Sequence, residues 1–151
     1  MDAETPIADA ELDRFADAVM SIAHRIEPRG LALPSGRRLT PREILVLHEV
    51  SVAPGITATR IARSLDLQRS NVSGLLHGLE RESLLVPVPA TEGRGAGFAL
   101  TEQALSEVAL VRAHRAERLR SASDDLLREV AALTEVLSGL SDAIGRSSTV
   151  D

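Results

Sequence analysis

Residues 67–85 read LQRSNVSGLLHGLERESLL. Val72, Leu75, Leu76 and Leu79 recur at offsets of three, four and seven, the spacing that lines one face of a helix and buries it. The opposite side carries Asn71, Ser73, Gly74, His77 and Gly78. Each Gly costs about 1 kcal/mol relative to Ala inside a helix, so two of them on an outward face need a reason. One is the approach of an external surface close to the helix backbone. The other is tight helix packing within the fold itself.

The segment just upstream, ITATRIARSLDL at 56–67, reads as a separate helix with Thr57 as candidate N-cap and Ile61, Ala62 and Leu65 facing inward. Three or four residues separate it from the quoted helix, which is the spacing of a helix-turn-helix. Downstream, LLVPVPATEGRGAGFALT at 84–101 sets two short β-prone runs around a glycine-rich tip and predicts a hairpin. Glycines at such a tip also suit a phosphate loop, but that needs a following helix, and Phe98-Ala99-Leu100-Thr101 reads as a strand. A helix-turn-helix followed by a hairpin is a winged helix.

Further out, Thr40-Pro41-Arg42-Glu43 offers a capping box and opens a short helix through Val50. A first helix is expected from about Ala8 to Glu27, with Leu12, Phe15, Val19, Ile22 and Ile26 on one face and Pro28 and Gly30 ending it. Another runs from Glu102 to about Arg120. A last one, from about Asp124 to Ile144, carries Leu126, Val130, Leu133, Leu137, Leu140 and Ile144 as a coiled-coil-like seam. The shared rhythm predicts that the N- and C-terminal helices pack together and against those of a second chain. The fold class expected is mainly α: a winged helix-turn-helix with a small β-hairpin wing and a helical dimerisation region formed by the N- and C-terminal helices. We expect one domain over 1–151, with 8–30 and 102–144 for dimerisation and 40–101 as the winged lobe.

With 151 residues the chain is long enough to bury a real core. Two Phe and no Trp or Tyr leave that core to Leu, Val, Ile and Ala. The absence of Cys rules out disulfides and thiolate metal sites. An acidic N-terminus and the lack of any apolar run of eighteen residues predict a soluble cytoplasmic protein without a membrane segment. The net charge of −5 is uneven: residues 1–30 carry −4, 31–101 carry +2 and 102–151 carry −3. Only the middle is suited to a polyanion.

Within that middle, Ser70, Asn71, Ser73 and His77 are candidates to reach base edges or phosphates past Gly74. For Ser70 and Asn71 the alternative is ordinary helix capping. Arg60, three residues after Thr57, opposes the helix dipole and suits an external phosphate or plain solvation; Arg69 repeats the argument, with Thr57, Thr59 and Gln68 as neighbouring donors. Arg94, between Gly93 and Gly95 at the hairpin tip, suits a narrow minor groove. Arg112, Arg115, Arg118 and Arg120 read chiefly as a solvated or salt-bridged face. The four histidines lack ligand spacing, and no Gly-x-Ser-x-Gly, P-loop or paired catalytic carboxylate occurs, so neither metal, cofactor nor enzymatic activity is expected.

The order of long helix, winged helix-turn-helix and two long helices resembles the MarR family of dimeric bacterial transcription regulators, over about residues 8–144. LTPREILVLHEV looks like the first helix of that family's DNA-binding lobe, TATRIARSLDLQRSNVSGLLHGLERESLL like its helix-turn-helix and EGRGAGFALT like its wing. Two departures stand out: Glu92 stands where the wing's usual Asp-x-Arg has Asp, with its arginine kept as Arg94, and Gly74 stands where members often have Arg. The resemblance implies a homodimer that binds double-stranded DNA at palindromic operators, typically as a repressor relieved by a small-molecule effector. By the same resemblance His24, Arg25 and His48 are candidate effector contacts, the alternative for His24 being a satisfied interface residue. The alternative is a helical protein-interaction module on a winged-helix scaffold, which the acidic flanks and Gly74 would suit.

Overall fold

The computed structural model describes residues 7–28, 31, 33–93, 95–122 and 124–147. The elements in chain order are α1 (Asp9–Ile26), α2 (Pro41–Val52), β1 (Ile56–Thr57), α3 (Ala58–Ser64), α4 (Arg69–Arg81), β2 (Leu85–Pro89), β3 (Ala96–Leu100), α5 (Glu102–Arg120), α6 (Asp124–Leu127) and α7 (Val130–Ser147). The fold is mainly helical with a winged helix-turn-helix at its centre, as expected.

Local chemistry fixes the helix starts. Thr40 Oγ1 accepts from the Glu43 amide at 3.3 Å while Glu43 Oε2 accepts from the Thr40 amide at 2.7 Å, with Pro41 in the first turn. Such caps contribute about 1 kcal/mol. At the start of α3, Thr57 Oγ1 accepts from the Arg60 amide at 3.4 Å. At the start of α5, Thr101 Oγ1 accepts from the Ala104 amide at 3.2 Å and donates to the Ser83 carbonyl at 2.7 Å. That hydroxyl ties α5 to the turn that ends α4.

The core gathers Val46, Leu47 and Val50 of α2, Ile61 and Ala62 of α3, Val72, Leu76 and Leu79 of α4, and Leu84, Leu85 and Ala104. Burying a side chain of this size stabilises by about 1.5–3 kcal/mol, so this cluster holds α4 in one register with its opposite face outward. Leu75 is only half-buried at the edge of the core. One buried acid interrupts the apolar interior: Glu107 has no exposed surface, accepts from Gln103 Nε2 at 3.5 Å, and its Oε2 has no partner among the described residues.

The hairpin pairs Leu85 with Leu100, Pro87 with Phe98 and Pro89 with Ala96. It acquires a third strand that periodicity did not reveal, since β1 is two residues long and pairs Ile56 with Phe98. Strand order is β1-β3-β2, so Pro87 and Pro89 lie on an edge strand, where a missing amide is tolerated and further pairing is discouraged.

Two features of the outer helices differ from expectation. The helix expected from Asp124 onward is split at Arg128–Glu129 into α6 and α7. Within the chain α1 packs on α5, and α7 has no extensive packing on any other described element. Consequently Leu12, Phe15, Val19 and Ile22 of α1 stay 37–54% exposed, and Val130, Leu133, Leu137, Leu140 and Ile144 of α7 stay 40–59% exposed. At these positions both apolar stripes are present and the single chain leaves them open; the Leu126 side chain lies outside the described residues.

Candidate nucleic-acid interface

The outer face of α4 is open. Gln68, Arg69, Ser70, Asn71, Gly74 and His77 are exposed and Ser73 is half-buried. Gln68 occupies the N-cap without a side-chain cap bond. Ser70 and Asn71 sit inside the first turn, and among the described residues their side chains make no hydrogen bond. Capping therefore does not explain them. Nor does internal packing explain the glycines, because a Cβ at Gly74 or Gly78 would meet nothing within 4 Å. Among the described residues of this face, His77 makes a side-chain hydrogen bond, its Nδ1–H donating to the Ser73 carbonyl at 2.7 Å. Arg81, exposed one turn beyond His77, completes a stripe with Ser70 and Gly74. The sequence reading missed it, although the offset of four from His77 was available.

At the neighbouring helix, Thr57 is half-buried as the cap of α3, and Thr59 and Arg60 are exposed. Arg60 is neither free nor simply solvated: its guanidinium pairs with the wing carboxylate of Glu92. The wing brings that acid in, because the Thr91 amide donates to the Gly55 carbonyl at 3.1 Å and Thr91 Oγ1 donates to the Pro54 carbonyl at 2.7 Å. Arg94 lies outside the described residues; the glycines on either side hold φ of +82° and +116°, a conformation glycine favours. At the base of the lobe, Arg37 pairs with Glu43 and with Glu82 at the end of α4.

The three candidate effector contacts fall into two clefts. His24 and Arg25 line one of about 370 Å³ between α1 and α5 with Glu27, His114 and Arg118, where Arg118 Nε donates to the Arg25 carbonyl at 3.3 Å. His48 lines a second, of about 120 Å³ between α2 and α5, floored by Leu39, Ile44, Leu47, Val108 and Val111 and edged by Arg112 and Arg115. Arg112 Nη2 donates to Ser51 Oγ at 2.7 Å, and Ser51 Oγ donates to the His48 carbonyl at 2.7 Å. Arg115 Nε is buried and lacks a partner among the described residues. Burial holds the Arg115 guanidinium below the usual arginine value, partly offset by the Glu27 carboxylate. The described residues contain no group of three metal-ligating side chains, and no helix long and apolar enough to cross a membrane.

Residues 39–95, from the approach to α2 through the wing tip, match the MarR family model. Residues 39–95 carry the sequence pattern of that family. The likeness in fold extends past that lobe. A MarR family protein from Bacillus stearothermophilus is 18% identical with a TM-score of 0.65, over 92% of this chain and 99% of that one. The Mycobacterium tuberculosis MarR family protein Rv2887 in complex with DNA is 23% identical with a TM-score of 0.59, over 89% and 98% of the two chains. The same protein in complex with salicylic acid matches at 24% identity and a TM-score of 0.54, over 87% and 97%. No curated protein matches the chain in sequence.

Proposed function

We propose that the chain is a single MarR-like domain, residues 1–151, acting in the cytoplasm as a homodimeric, sequence-specific DNA-binding transcription regulator. The observation that carries this reading is the unpartnered outer face of α4, with open space at Gly74 and Gly78 and free polar side chains at Ser70 and Asn71. An α-helix fits the major groove, and a helix notched by two glycines brings its backbone nearer the base edges than a fully decorated one. Thr57, Thr59, Gln68, Arg69 and Ser73 flank that face as phosphate and base-edge contacts, and Arg94 enters the minor groove from the wing. The DNA complex of the structurally similar Rv2887 supports the reading.

Helices in 8–30 and 102–144 supply the dimer contact. Their open apolar stripes are what a second copy covers, and two lobes then meet successive major grooves about 34 Å apart. The regulator acts as a repressor, released by a small effector. We place the effector in the α2–α5 cleft, where an apolar floor faces His48, Arg112 and Arg115 and the unsatisfied Arg115 Nε calls for an acceptor. His24 and Arg25 line the neighbouring α1–α5 cleft as an outer anion contact. The salicylic acid complex of Rv2887 supports a ligand of that size and charge.

Selection of bound duplexes from a random pool tests the function. An inverted pair of half-sites one helical turn apart is the expected result; no enriched sequence refutes it. A salt titration separates DNA binding from a protein-interaction role, since phosphate neutralisation makes log K fall linearly with log salt.

A further inference from the structure

We infer that His77 is a specificity-determining residue that accepts a hydrogen bond through Nε2 from the exocyclic amino group of one base. The inference rests on the DNA-binding reading and deepens it.

A carbonyl oxygen can only accept, so the 2.7 Å contact between His77 Nδ1 and the Ser73 carbonyl places the proton of the neutral ring on Nδ1. The other ring nitrogen, Nε2, then carries a lone pair, and the geometry of the ring turns it away from the helix backbone. His77 is exposed, and its flanking positions on the outer face are Gly74 and Gly78, where a Cβ would meet nothing within 4 Å. Between Asn71 and Arg81 the exposed positions are Gly74 and His77, so of these two His77 alone carries a side chain that can reach a base. The i−4 hydrogen bond orders that one long side chain in advance, which lowers the entropy lost on contact.

The chemistry of the partner follows from the lone pair. In the major groove the N4 amino group of cytosine and the N6 amino group of adenine are the base donors, whereas guanine N7 and O6 and thymine O4 are acceptors. Phosphate oxygens are acceptors as well. A ring protonated at Nδ1 alone therefore favours cytosine or adenine on the contacted strand and gains nothing from the backbone.

The test compares wild type with His77→Ala and His77→Gln in duplex selection, followed by single-base-pair substitution in the selected half-site. Wild type is expected to prefer C or A over G and T at one position per half-site, and the base selected says which amino group is read. His77→Ala is expected to lose roughly 2- to 10-fold of discrimination there, the range one hydrogen bond supports, with other positions unchanged. His77→Gln, which keeps an acceptor, is expected to retain part of it. An unchanged profile in His77→Ala overturns the inference while leaving DNA binding intact. A loss uniform across sequences also overturns it, as the mark of a phosphate contact. A wild type that selects no sequence refutes the DNA-binding reading beneath it. Independently, the nitrogen-15 shifts of the His77 ring in the free protein are expected to report a proton on Nδ1; the Nε2–H tautomer overturns the inference.

Discussion

Gly97 of β3 lies against the backbone of Gly55 so closely that a Cβ at position 97 would stand 2.2 Å from the Gly55 carbonyl oxygen and 2.5 Å from its carbon. Backbone cannot swing aside as a flexible side chain does, so the wing root has room for glycine alone. Gly55 is fixed too, by a φ of +87° and by its amide, which donates to the Phe98 carbonyl at 2.8 Å. Gly97→Ala is expected to destabilise the fold by about 1–3 kcal/mol, read by thermal unfolding, and to weaken DNA binding by displacing the wing. An unchanged melting temperature would contradict this.

The Arg60–Glu92 pair joins α3 to the wing at the surface, with both side chains more than half exposed. Exposed pairs contribute little to stability, but this acid neutralises a cation beside the proposed phosphate track. Glu92→Gln is expected to leave stability within about 0.5 kcal/mol and to free Arg60 for phosphate. The slope of log K against log salt then steepens by about one counterion. A shallower slope would show that Glu92 instead sets the wing for binding.

Glu43 gives a pH signature. Burial raises its pKa, but hydrogen bonds from the Thr40 backbone and hydroxyl and the charge of Arg37 outweigh that and hold it below the ordinary 4.5. A carboxyl depressed in the fold contributes its stability in full above the unfolded value and loses it as pH falls through the folded value. Glu43→Gln is expected to lower stability by about 0.5–1 kcal/mol at pH 7. The gap to wild type closes as pH drops below 4.5, and a gap independent of pH would refute the assignment.

Arg115 is the clearest residue for testing the effector cleft. Arg115→Met removes a buried guanidinium nitrogen that lacks a partner, so stability is expected to rise by about 1 kcal/mol. With sodium salicylate as the probe, release of DNA is expected in wild type and lost in the variant, while DNA affinity without salicylate stays within about twofold. An undiminished salicylate response in the variant would move the ligand out of this cleft.

What the sequence revealed was local. The Thr40–Glu43 box, the inward stripe of α4 and the hairpin each depend on residues within a few positions of one another, where periodicity and capping rules act. The relationships it concealed join distant segments. β1 is too short to show alternation and becomes a strand only by meeting Phe98. Arg60 finds Glu92 through 32 positions of chain. Arg112 and Arg115 are an intermediate case: Val108, Val111, Arg112 and Arg115 share one face of α5 at offsets of three, four and seven, so their place at the cleft was present in the pattern and overlooked in favour of solvation. His24 and His48 were grouped by resemblance alone, and the fold assigns them to separate clefts.

The glycines of α4 offer the most direct test, because their two consequences have opposite signs. Open space at Gly74 and Gly78 means that alanine at both adds helix propensity without a clash, worth up to about 1 kcal/mol each. The same methyl groups would stand between the helix and the groove. Thermal unfolding and DNA titration of Gly74→Ala/Gly78→Ala are therefore expected to show a more stable protein that binds its selected duplex at least about fivefold more weakly. A double variant that is stabilised and binds that duplex as tightly as wild type would contradict the account.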